Sequence, residues 1–398
     1  MNLSEPIIRL AAKGDGATAS GRHVSGAVPG DVVDEAGAIV QGPHHIAPAC
    51  RHFTTCGGCQ LQHADDPVLA DFVRDRVVNA ARGQGLEPGE LLSVHLSPPQ
   101  TRRRAGLHGL RTAKAAVLGY REGGSHRVVD LAECPVLHPA LAALIAPLRR
   151  FVAAHGPKGM VGIDLALADQ GGEVNLADFP LEGLGPTEAA LDFARQHALA
   201  RLTINQGYGP ETLWEPEPVT VTLSGVPVSL PPGAFLQATA DAETRMAADA
   251  AAWLGDARMV ADLFAGLGTF AFALRQGRKV LAVEAERAAH LACKSAGALV
   301  GGSVLALHRD LFRNPLQPAE LNRFDAVVLD PPRAGARAQV AEIAASTLAR
   351  VVYISCNPSS WARDAATLAE AGFRLTKLRP VGQFRWSTHV ELVSLFER

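Results

Sequence analysis

Two reactive side chains stand where apolar runs make them conspicuous. In VVYISCNP (351–358) a run of β-branched and aromatic residues ends on Cys356, and Asn-Pro then breaks the chain. Such a run suits a buried strand of a parallel sheet. A cysteine reacts as its thiolate, and a place at the start of a helix lowers its pKa. Pro358 suits the first position of a helix, so Cys356 is expected just before a helix N-terminus. The residues alone leave two readings open, a nucleophile or a packed small hydrophobe, since free cysteine is among the most buried residue types. In STHVELVSLFER, Glu391 stands inside an otherwise apolar strand. A charge there is costly without a role, and burial would raise its pKa toward that of a useful base. The plainer reading is an acid at a strand edge facing solvent. His389 beside it reads as a packing or supporting residue.

A second constellation is glycine-rich. DLFAGLGTFA (262–271) sets Gly266 and Gly268 between a strand and a helix, where the backbone can turn sharply and approach a ligand. Glu284 ends the next strand, roughly 20 residues on, where an acid can take ribose hydroxyls. Asp310 lies just past a third strand and Asp330 ends a fourth. By itself G-x-G-x-x-A is weak, and it fits a tight turn or a nicotinamide oxidoreductase as well. Asp330 opens DPPR, a rigid loop with few backbone donors, suited to a planar substrate more than to a phosphate. Arg333 follows the prolines where methyltransferases of exocyclic amines carry an aromatic residue, which argues against amine methylation. A thiol and a carboxylate at a methyl-donor cleft suit carbon methylation of a pyrimidine instead. Thiolate addition at C6 of uracil activates C5, and a base then removes the C5 proton.

Cysteines form a third group. Cys50, Cys56 and Cys59 cluster, Cys134 stands alone before a proline, and Cys293 falls mid-helix as a core residue. A long chain with few, unevenly placed cysteines is no disulfide scaffold, so the cluster points to metal or redox chemistry. Spacing alone leaves a four-cysteine zinc site as a rival to an iron–sulfur cluster. The basic run TRRRAGLHGLRTAK (101–114) offers Arg102, Arg103, Arg104 and Arg111 to RNA phosphates, with Arg121 and Arg127 on the next hairpin. A solvated charged turn is the alternative.

The elements that must position these groups fall in a clear order. A helix is predicted over 67–83 from the spacing of Val68, Leu69, Phe72, Val73 and Val77. A β-rich stretch from about 91 to 230 follows, with a helix over Leu141–Phe151 and a hairpin in AVLGYREGGSHRVVDL. From about 245, strand and helix patterns alternate, which predicts a doubly wound parallel sheet. The 398 residues allow two to three domains, and the net charge of −2 excludes a general nucleic-acid coat. No run reaches the ~20 apolar residues that span a bilayer. The N-terminus lacks a signal-peptide pattern, so a cytoplasmic protein with no membrane partner is expected.

The chain resembles the RNA uracil-5 methyltransferases, and within them the iron–sulfur 23S rRNA branch. The resemblance runs over nearly the whole chain, through CRHFTTCGGCQLQHA, RRRA, ECPVL, FLQATA, DLFAGLGTF, VLDPPRAGA, YISCNPSSWARD and HVELVSLF. It implies an α/β fold: a doubly wound, Rossmann-like methyltransferase domain (236–398), preceded by a β-rich central iron–sulfur and RNA-binding domain (46–235). Residues 1–45 would be a shortened TRAM-like region. It implies Cys356 as nucleophile on uracil C6 and Glu391 as base. Gln237, Phe264, Gly266, Thr269, Glu284, Asp310 and Asp330 would line the pocket for S-adenosylmethionine and uracil. Ala265 and Thr269 stand where members carry cysteine and asparagine. Cys50, Cys56, Cys59 and Cys134 match the ligands of a 4Fe–4S cluster. The expected partner is RNA, 23S rRNA ahead of tRNA, bound by a monomer with its target base flipped out. A different class, an iron–sulfur RNA-binding protein without catalysis, is the remaining alternative.

Overall fold

The alternation that begins near residue 259 forms one sheet. The computed structural model describes residues 4–113, 115–207 and 209–398. Five strands run parallel: Met259–Leu263, Lys279–Glu284, Val304–His308, Ala326–Leu329 and Arg350–Ser355. Their spatial order is third, second, first, fourth, fifth. The order reverses between the first and fourth, which opens a crevice at their carboxyl ends. The strand interiors Val260, Val283, Val328, Val352 and Tyr353 are buried. Helices Arg287–Leu299, Arg337–Ala345 and Pro358–Glu370 fill the connections.

The sheet is mixed, not wholly parallel. Glu391–Glu397 is inserted antiparallel between Arg350–Ser355 and a strand that the pattern had not revealed, Arg374–Gly382. Residues 383–390 are too few for a crossover, which takes about a dozen residues, so the pair must be antiparallel. Two short strands, Glu90–Leu91 and His95–Leu96, pair with the outer side of Arg374–Gly382.

The predicted helix over 67–83 is Asp66–Arg82, capped by the Asp65 carboxylate on the Val68 N–H at 3.1 Å. Its apolar stripe lies on helix Pro358–Glu370 and strand Arg374–Gly382. Each fully buried side chain of this kind contributes roughly 1.5–3 kcal/mol. Helix Ala240–Trp253, not read from the sequence, packs against the sheet and buries Asp249, which Arg379 pairs.

A second sheet has six strands, in the order Pro210–Trp214, Arg201–Asn205, Gly171–Ala177, Met160–Ala168, Arg104–Arg111, Ala116–Gly119. Leu107, Phe151, Ile163, Leu176 and Phe193 form its core. The helix expected over Leu141–Phe151 is two helices, Pro139–Ala142 and Ile145–His155. Pro147 explains the break: it cannot donate inside a continuous helix but is tolerated in the first turn of a new one. The expected hairpin turns at Gly124, with Glu122 N–H on Arg127 O at 2.8 Å. Five short strands between Glu5 and Val40 form a separate antiparallel sheet over Ile7, Ala27 and Val33.

Candidate active site

The crevice at the strand ends is a cavity of about 760 Å³. Gln237, Phe264, Gly266, Thr269, Glu284, Asp310, Asp330, Cys356 and Glu391, the sequence-derived candidates, all line it. One end is built by the loop after the first strand. Phe264 has φ +65°, a left-handed conformation rare outside glycine, and its ring centroid lies 5.3 Å from that of Phe312. Gly266 (φ +55°) faces open space, so the backbone itself forms that wall. Gly268 (φ +91°) has a different duty: a Cβ there would stand 2.6 Å from the Phe272 ring and 2.9 Å from Cys293 Sγ. Cys293 is buried core, as expected. Glu284 accepts from the N–H groups of Gly266 and Ala285 at 2.8 Å each and of Glu286 at 2.6 Å. Its carboxylate is thereby held rigidly at the cavity wall. Asp310 accepts from Phe312 N–H at 2.9 Å and holds that loop in the same way.

The other end carries the reactive groups. Glu391 is 4% exposed and opens the inserted strand. Burial pushes its carboxyl up to about 7, against the hydrogen bond from Gln383 Nε2 (2.8 Å) and the charges of Arg104 and Arg333. Burial also holds Asp330 well above the usual carboxylate range, with Glu391 and Asp262 adding repulsion. Gln237 Nε2 donates to Asp330 at 3.0 Å. Cys356 lies one residue before Asn357, whose side chain caps helix Pro358–Glu370 by accepting from Ser359 N–H. The expected lowering of its pKa does not occur. Burial first, then the negative charges of Glu391 and Asp330, push the thiol up to about 11, and Arg333 opposes them. Asn357 and Ser360 both donate to the Arg333 carbonyl, at 2.9 and 3.0 Å, and fix the DPPR loop beside the sulfur.

The arginine run does not stay together. Arg103 is buried, donating to Gln237 O at 2.9 Å and pairing with Glu243, so it is not an RNA contact. Alternation along an extended segment turns it opposite to Arg102 and Arg104. Arg104 stacks its guanidinium 4.4 Å from the centroid of Phe235, which lines the cavity and is exposed. Arg102 lies against Phe384 and donates to Arg104 O. Arg111 is exposed farther along the strand and donates to Gly156 O. Gln383 is the residue that sequence reasoning missed. Its signal was weak, an uncharged polar residue in GQFRW between two strand segments.

Cys50, Cys56, Cys59 and Cys134 are free thiols lining a second cavity of about 20 Å³, with Arg102, Tyr120 and Glu133. Burial raises the thiols of Cys50, Cys56 and Cys59, the last to about 12, and the neighbouring cysteines add to it. Among the described residues, no group of three or more His, Cys, Asp or Glu side chains is disposed to hold a metal ion. Just past Cys59, the N–H groups of Gln60 and Leu61 donate to the Trp386 carbonyl at 2.8 and 2.9 Å.

A family model described as tRNA (Uracil-5-)-methyltransferase matches residues 304–398. The 23S rRNA (uracil(1939)-C(5))-methyltransferase RlmD of Edwardsiella ictaluri is 34% identical over 372 residues, 90% of this chain and 83% of that protein. The chain belongs to the RNA uracil-5 methyltransferase family. It is a SAM-dependent RNA methyltransferase. A second relative, an uncharacterized RNA methyltransferase of Zymomonas mobilis, is 50% identical over 394 residues, 98% of this chain and 99% of that one. The fold matches that of the Pyrococcus abyssi tRNA (uracil-54, C5)-methyltransferase in complex with S-adenosyl-L-homocysteine, with a TM-score of 0.76. That match has 20% identity and covers 99% of this chain and 100% of that one. No helix among the described residues is long and apolar enough to cross a membrane.

Proposed function

We propose that this methyltransferase makes 5-methyluridine in 23S rRNA, with Cys356 as nucleophile and Glu391 as base. The observation that carries the reading is that a thiol and a buried carboxylate, from different strands, line the same cavity as the glycine loop. Uracil C5 is a weak nucleophile. Bonding of the Cys356 sulfur to C6 moves electron density to C5. When bound, S-adenosylmethionine supplies the electrophilic methyl group for that carbon. Glu391 then takes the C5 proton, and the sulfur–C6 bond breaks to return the free cysteine. In the resting site Cys356 is a thiol, so its proton leaves first; Arg333 favours the thiolate, while Glu391 and Asp330 hold it back.

The residues fit the cofactor. The open face of Gly266, the fixed Glu284 carboxylate, Thr269 and Asp310 would hold its polar parts, and the Phe264–Phe312 pair gives a wall for a flat base. Gln237 and Asp330 would meet the uracil edge. Arg104, Arg111, Arg121 and Arg127 remain for the RNA, with the N-terminal sheet read as a shortened TRAM-like unit.

The choice of 23S rRNA is supported by the RlmD relative. The description of the family model favours tRNA as the second reading. Mass mapping of RNA from cells with and without the gene separates them. Loss of 5-methyluridine from 23S rRNA is expected; loss from tRNA alone would overturn the choice.

The four cysteines are read as holding a 4Fe–4S cluster. They line one cavity and form no disulfide, and the distant Cys134-Pro fits the cluster reading better than the paired C-x2-C units usual for zinc. A four-iron cluster spreads its thiolates around a larger body and would tie Cys134 to the 50–59 segment. Methyl transfer moves no electrons, so the role is structural. Iron and sulfide assays with visible absorption on anaerobically purified protein test it; protein containing zinc and no iron would overturn it.

A further inference from the structure

Gln383 is 1% exposed and does not line the cavity, yet it touches both side chains that frame the reactive end. A backbone N–H can only donate. The N–H of Ala238 donates to Gln383 Oε1 at 3.0 Å, which fixes the oxygen there and turns the amide nitrogen the other way. That nitrogen donates to Glu391 Oε1 at 2.8 Å and to Gln237 Oε1 at 3.1 Å. The Gln237 oxygen is therefore engaged, and its nitrogen must face Asp330, 3.0 Å away. One backbone amide thus sets the direction of a whole row of side-chain hydrogen bonds.

We propose that Gln383 is a positioning residue that aims Glu391 into the cavity and fixes the amide polarity of Gln237 against Asp330. The inference rests on the reading of Glu391 as base. Without Gln383, Gln237 could turn its carbonyl to Asp330 and offer the substrate the opposite donor–acceptor pattern. Glu391 would lose the one side-chain donor it has among the described residues, leaving the charges of Arg104 and Arg333 to favour its ionised form and burial to oppose it.

Two variants test this in single-turnover methylation of an RNA fragment across pH. Q383L removes the donor, and Q383E, of the same shape, replaces it with an acceptor. In Q383L the ascending limb of the rate profile is expected to move up by about one pH unit, roughly a tenfold loss at neutral pH that high pH restores. Q383E, which adds a like charge, should move it further. S-adenosylhomocysteine affinity should stay as in the parent, which also reports folding; if Q383L does not fold, Q383E carries the test. E391Q is run alongside and should accumulate a covalent protein–RNA adduct. A limb that does not move in either variant, while E391Q traps the adduct, overturns the role of Gln383 alone. Normal release of methylated RNA by E391Q overturns the base assignment itself, and this inference with it.

Discussion

The two cavities differ in what holds them open. The larger one sits on strand ends of a single hydrogen-bonded sheet, and its polar groups are mostly anchored: Glu284 by three amides, Asp310 by its own loop, Glu391 by Gln383. The smaller one is framed by the segments 50–62 and 131–136, which carry almost no regular structure. Burial raises its thiols, and the neighbouring cysteines raise them further. A site anchored by the backbone exists before its ligand arrives. Thiols carried on loops would owe their relative placement to the cluster read there.

The largest test of this contrast is at the prebuilt site. Cys356→Ala should lower methyl transfer by about 10⁴-fold or more while S-adenosylhomocysteine binding persists, because only the nucleophile is lost. Isothermal titration beside a methyl-transfer assay reads both. The second test is at the loop-borne site. Cys59→Ser should lower the melting temperature by roughly 5–10 °C and weaken RNA binding, with cofactor affinity kept. Equal loss of cofactor affinity would erase the distinction between the cavities. Third, Glu284→Ala should weaken cofactor binding about tenfold, or roughly 1.5 kcal/mol, as one set of charge-assisted hydrogen bonds is lost. Melting temperature should change far less than in Cys59→Ser.

The smallest effects come from pH. Glu391 acts only when ionised, so the single-turnover rate should climb as pH rises through about 7. Alkylation of Cys356 in the free enzyme, followed by mass spectrometry, should stay slow until pH nears 11. Fast alkylation at neutral pH would mean the resting thiol is already a thiolate.

Much of this was legible because the alternation of β-branched runs and helical stripes is strong after residue 259, and because chemistry sits where such runs stop. Cys356 and the acids at strand ends follow from that rule, and Glu391 stood out as a charge in an apolar strand, which it opens. Beside Gln383 and helix Ala240–Trp253, three further features were hidden by partners distant in sequence. Arg374–Gly382 contains Lys377 and Arg379, which blur its apolar signal, and its partner Asp249 lies in a distant helix. Arg103 looked like its neighbours until an extended backbone turned it inward to Glu243. The thiol of Cys356 depends on carboxylates brought by two other strands, so its reluctance to ionise was invisible in the local helix-start pattern.

The inserted strand has a consequence for how the molecule is made. Glu391–Glu397 lies between two strands that are both synthesised before it. Until it emerges, Arg350–Ser355 and Arg374–Gly382 each present a bare edge to the same gap, a template for pairing with the wrong chain. The nascent protein can assemble its glycine loop and cofactor wall but has no base, since Glu391 arrives with the closing strand. Closure of the sheet and arrival of the base therefore come with the same strand, and a polypeptide interrupted ahead of residue 391 would be sticky and inert.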